Sequence, residues 1–134
     1  MASVRKEITI DARPDEVWAA LRDWGALHRR LVPGFVTDAR LEGRDRVITL
    51  FNGTVVREVL VDLDDETRRL VWSIAGGPYE HHNASAQVFA AGGTGALFVW
   101  TADLLPDEIA ERTAGLMERG IRVIKQTLET EPGR

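Results

Sequence analysis

Four side chains have the chemistry to move or hold a proton beside an apolar surface: His82, Arg57, Glu58 and Tyr79. An imidazole titrates near neutrality and could shift a proton during enolisation, aldol cyclisation or dehydration. A guanidinium offers a planar fork to a carboxylate or enolate, and a carboxylate could act as base. Two of these assignments turn on strand register. Along Tyr79 to Ala90, His82 shares a face with Ala84, Ala86 and Val88, opposite His81, Asn83, Ser85, Gln87 and Phe89. Taking the alanine face as inward selects His82 for catalysis; a slip of one residue would select His81. Along Val55 to Leu63 the more apolar face is Val55, Arg57, Val59, Val61 and Leu63, which sends Arg57 inward. The opposite face would send Glu58 inward instead. The competing readings are a hydrogen-bonded structural histidine and a charge that stays wet near a mouth. Tyr79 follows Gly76-Gly77-Pro78, so a loop could offer its hydroxyl to a ligand.

The residues able to make a binding surface are large rings beside small side chains. Period two along the last strand puts Phe98, Trp100, Ala102 and Leu104 on one face. Trp24, Trp72 and Trp100 bring broad apolar area with an N–H donor each. Ala84, Ala86 and Gly120 leave room next to them, and Met117 and Ile121 share the helical stripe of Gly120. Such a lining suits a flat, mostly apolar ligand with a few oxygens. The alternative is that neighbouring side chains fill the gaps and the tryptophans build a solid core.

The elements that must position these groups follow from periodicity. Val4 to Asp11 alternates as a half-buried strand, and Pro14-Asp15-Glu16 opens a helix carrying Val17, Trp18, Leu21 and Trp24. A second short helix holds Leu27 and Leu31 and ends at Val32-Pro33-Gly34. Strands joined by short turns run from Phe35 to Leu104. Asn52-Gly53 suits a two-residue type I′ hairpin between two of them. After Pro106-Asp107-Glu108, an apolar stripe from Ile109 to Leu128 marks one long helix. The spacing predicts one domain over residues 1–130 and a frayed tail over 131–134.

A strand, two short helices, six strands and a long terminal helix resemble the START-like (SRPBCC) superfamily, in particular its polyketide cyclase/dehydrase branch. The resemblance rests on Ile10-Asp11-Ala12-Arg13-Pro14-Asp15-Glu16-Val17-Trp18, Leu70-Val71-Trp72-Ser73-Ile74, Phe98-Val99-Trp100-Thr101-Ala102-Asp103 and the terminal helix. It implies an α+β helix-grip fold: a seven-stranded curved antiparallel sheet wrapped around the C-terminal helix, with a cavity between them. These motifs specify fold better than function, since the superfamily holds carriers, receptors, cyclases and chaperone activators.

Composition narrows the partners. Net charge is −4 over 134 residues, a poor match to nucleic acid or anionic membranes. No apolar run approaches the ~20 residues of a membrane span. With no cysteine there is no disulfide, thiolate site or cysteine nucleophile. His81 and His82 point to opposite faces and His28 adds no ligand spacing, so neither metal nor cofactor is expected. Gly92-Gly93-Thr94-Gly95 lies between strands and reads as a turn, not a phosphate cradle. The expected partner is a hydrophobic, aromatic or polyketide-like small molecule, bound by a cytoplasmic monomer or homodimer. Two functions fit: an enzyme of cyclisation, dehydration or aldol type, and a non-catalytic carrier or sensor.

Overall fold

A computed structural model describes residues 1–130; the expected tail, 131–134, lies outside the described residues. Ala2–Ile10 forms β1, with alternate residues covered as the sequence pattern requires. Pro14–Arg22 forms α1, with proline in the first turn, Asp15 and Glu16 at the positive end of the dipole and Arg22 at the negative end. A 3₁₀ turn, Trp24–Ala26, and a π-helical turn, Leu27–Leu31, follow in place of a regular second helix.

Six strands then run in sequence: β2 (Val36–Glu42), β3 (Asp45–Leu50), β4 (Val55–Asp64), β5 (Arg69–Ala75), β6 (His81–Ala91) and β7 (Gly95–Leu105). Every pairing is antiparallel. The order β1-β7-β6-β5-β4-β3-β2 makes a meander with β1 added beside β7. The helix α2 (Ala110–Glu129) buries Thr113, Met117, Gly120, Ile121, Ile124 and Leu128 against the sheet. Each large apolar side chain of that stripe contributes about 1.5–3 kcal/mol of burial. At its C-terminal end, Lys125 Nζ donates to the Thr9 carbonyl at 2.6 Å and Glu129 accepts the Asp11 N–H at 2.8 Å. This is the expected α+β helix-grip architecture.

Two local departures set the register of the site. The β3–β4 connection is not a type I′ turn. Gly53 has φ +87°, but Asn52 keeps an ordinary φ, and a type I′ turn needs positive φ at both. The turn closes one residue earlier, with Gly53 N–H donating to the Leu50 carbonyl at 2.9 Å. Phe51 is thereby freed to stack on Phe35, ring centroids 5.6 Å apart. In β4 the pairing with β5 shifts between Leu60 and Asp62, which leaves Val61 as a bulge, 50% exposed. Counting apolar residues straight through that bulge mixes two faces.

Candidate functional site

The register carries one row of side chains across the concave face: Arg46 on β3, Glu58 on β4, Ile74 on β5 and His82 on β6. Arg46 faces Glu58, and Glu58 faces Ile74. The β5–β6 ladder reaches only Trp72–Ala84. Beyond it the chain leaves through Gly76 and Gly77, both at positive φ. There His82 Nδ1 accepts the Ile74 backbone N–H at 3.1 Å, and the Ser73 hydroxyl donates to the His82 carbonyl. Side chains therefore satisfy the backbone where the two strands part.

Because Nδ1 is an acceptor, the neutral ring carries its proton on Nε2. His82 is 5% exposed. Burial, reinforced by the neighbouring His81, pushes its pKa down to about 4. At neutral pH it is an uncharged hydrogen-bond donor. The Tyr79 ring meets it edge-on with centroids 5.0 Å apart, and Tyr79 Oη lies 2.7 Å from Thr113 Oγ1 on α2.

Arg57 is not in this row. It lies on the convex face, where its guanidinium pairs with Glu42 and, at 2.9 Å, with Asp45. The inward charge is Glu58, 7% exposed, and its partner is Arg46, 3% exposed. Arg46 Nε donates to Glu58 Oε1 at 2.7 Å, and a second guanidinium nitrogen reaches the same oxygen at 2.7 Å. A third donates to the Trp24 carbonyl at 3.1 Å, while the guanidinium lies 3.6 Å from the centre of the Trp24 ring. Burial lowers the Arg46 pKa and Glu58 opposes that shift; an arginine so paired stays charged.

Between sheet and α2 lies a cavity of about 110 Å³. That is well above the ~10–15 Å³ one water needs and approaches the ~150 Å³ of a cavity known to take benzene. Its walls are mostly apolar. Phe35, Trp72, Phe98, Trp100, Leu116 and Met117 supply much of the surface, and Arg46, Glu58, Tyr79, His82 and Thr113 supply the polar groups. Of the residues expected to line it, Trp72, Tyr79, Ala86, Phe98, Trp100, Met117 and His82 do so. Trp24, Ala84, Gly120 and Ile121 are buried but lie outside the lining. Trp24 stands behind Arg46. Ala84 faces Trp72 and Ala86 faces Trp100 across the strands, and the two indoles meet above them with centroids 6.2 Å apart. Gly120 leaves no hollow either, because a Cβ there would lie 3.1 Å from Trp100 and 3.3 Å from Phe35. The small residues make room for the rings, and the hollow is what the rings leave over.

Arg46, Phe35 and Thr113 were missed by sequence reasoning. Arg46 had a legible signal, since an opposite charge sits as far before Asn52 as Glu58 sits after it.

Residues 1–129 match the family model described as polyketide cyclase / dehydrase and lipid transport. The chain belongs to this family. None of the curated proteins compared with it matches its sequence. Among solved structures, a putative uncharacterized protein from Bacillus thuringiensis superposes with TM-score 0.85 at 19% identity, over 95% of this chain and 98% of that one. The protein XoxI from Bacillus cereus gives TM-score 0.85 at 21% identity, over 97% of each chain. A START superfamily protein from Mycobacterium smegmatis gives 0.72 at 9% identity, over 95% and 94%. These likenesses establish the fold. Membership of the polyketide cyclase / dehydrase and lipid transport family supports, in general terms, the binding of a hydrophobic molecule. No helix among the described residues is long and apolar enough to cross a membrane.

Proposed function

We propose that the protein binds a small, ring-containing, mostly apolar molecule in the cavity, its polar end toward Glu58, His82 and Tyr79. The observation that carries this reading is a ring-sized, apolar-walled hollow whose polar side chains include a buried ion pair, not only rim residues. Binding is favoured over general acid–base turnover by the state of those groups. A histidine with a pKa of about 4 can donate a hydrogen bond at neutral pH but has no proton to give. Glu58 is clamped by Arg46, two of whose guanidinium nitrogens already reach its Oε1 at 2.7 Å.

A second reading, carbonyl polarisation by His82 with Glu58 as proton acceptor, rests on their shared row. Two strand spacings separate them at the backbone, about 10 Å, so a substrate would have to bridge the gap.

Native mass spectrometry of the protein from its own cells tests the first reading. A co-purifying mass is expected in the wild type and in Arg57→Ala, whose side chain faces outward. It should be absent in Met117→Trp, which fills the cavity. A ligand retained by Met117→Trp places the site elsewhere.

A further inference from the structure

We infer that the cavity selects a neutral ligand that donates a hydrogen bond, such as a phenol, enol or alcohol, and rejects carboxylates. The inference rests on the binding reading above and names the class of ligand. Both short contacts from Arg46 go to one oxygen, Glu58 Oε1. Glu58 thus holds Arg46 through one oxygen while it also lines the cavity. Since Glu58 lines the cavity, its carboxylate is the charged group an occupant meets there. It is a charged acceptor, and its natural complement is an O–H.

The charges on the wall exclude an anion. Arg46 is the cationic side chain of the lining, and it is already committed to Glu58 and to the Trp24 carbonyl. A ligand carboxylate would therefore meet the Glu58 carboxylate with no spare cation beside it. An unpaired charge in such a site is strongly disfavoured. His82 Nε2–H and the Tyr79–Thr113 hydroxyl pair are uncharged groups that can serve a neutral carbonyl or ether oxygen but cannot balance an anion. A neutral hydroxyl keeps its hydrogen bond and brings no charge.

Three ring compounds of nearly the same size separate the possibilities: 4-methylphenol, toluene and 4-methylbenzoate. At pH 7.5 the phenol is neutral, with a pKa near ~10 as for a tyrosine ring, and the benzoate is ionised. Binding is read from the indole N–H signals of Trp72 and Trp100 in a heteronuclear NMR titration. The expected order is 4-methylphenol about tenfold tighter than toluene, and 4-methylbenzoate at least about a hundredfold weaker than the phenol. Replacing both charges, Arg46→Leu with Glu58→Leu, should keep toluene binding and erase the preference for phenol. Apolar replacement of a whole buried pair is commonly tolerated. If 4-methylbenzoate binds as well as the phenol, or toluene equals it, the charge selection is wrong while the cavity reading stands. If none of the three binds, the cavity reading itself falls. Should the double variant fail to fold, the wild-type series alone decides.

Discussion

A buried imidazole that accepts a backbone N–H is a poor seat for a positive charge, and this has a consequence for stability. The unfolded chain protonates a histidine near pH 6.5, whereas folded His82 resists until about pH 4. Between those values the unfolded state binds more protons. Stability is therefore complete above about pH 6.5 and falls as the pH drops toward 4, by up to about 3 kcal/mol. Urea unfolding at pH 7.5 and 5.0 should show the wild type losing about 2 kcal/mol. His82→Gln, which keeps an acceptor without the titration, should lose much less. Equal losses would show that another group carries the pH dependence. The carboxylates held below their usual range do not compete in this window. Glu42 is held down by Arg57, Asp65 by the Trp18 N–H and Glu118 by Arg122, so their effects belong below about pH 4.5. His82→Ala should cost a further ~1–3 kcal/mol at neutral pH by leaving the Ile74 N–H unpaired.

The two inner glycines of α2 make a matched pair at the scale of the element. Nothing lies within 4 Å of a Cβ placed on Gly115, so Gly115→Ala should stabilise the protein by about 0.5–1 kcal/mol through helix propensity alone. The same change at Gly120 gains that propensity but drives a methyl into Trp100 and Phe35. Overpacking costs about 1–3 kcal/mol, so Gly120→Ala should be neutral to destabilising and should tip Trp100 into the cavity. Chemical denaturation of both variants checks the sign. A stabilised Gly120→Ala would mean the rings move aside freely. Register is also an element property, and it explains what sequence reading could not reach. A two-residue turn at Asn52-Gly53 would pair Phe51 with Thr54, which sets Glu58 opposite Val47 and hides its bond to Arg46. The true turn starts one residue earlier, and Phe51 there packs against Phe35 with the Arg119 guanidinium 3.8 Å from its ring centre. The bulge at Val61 then made the face of Arg57 look the more apolar. The bulge has no signature in residue types alone, and the turn left only one, the opposite charges spaced equally about Asn52. His82 was legible because β6 alternates without interruption from His81 to Phe89.

For the whole molecule, the order of elements and the stripe of α2 were enough to read the architecture. Both are long-range periodicities that a one-residue error does not disturb. The cavity was harder, because small residues beside large ones describe a filled wall as well as a hollow one. Here Trp72 and Trp100 use the space above Ala84 and Ala86, and a ring-sized void remains. An occupant that binds only the folded chain must raise its melting temperature. At a hundred times its dissociation constant, 4-methylphenol should add about 2.7 kcal/mol, or about 10 °C. Scanning calorimetry with and without the phenol reads this directly, and an unchanged transition would refute an internal site.

The Arg46–Glu58 bond also constrains heredity. Removing either partner alone strands a charge in the interior at about 3–5 kcal/mol, a large share of the ~5–15 kcal/mol that keeps a domain folded. Single-step descent through either loss is therefore nearly closed. Lineages descended from this sequence should carry both residues or neither, and the rare chain holding only one should bear a rescuing change nearby.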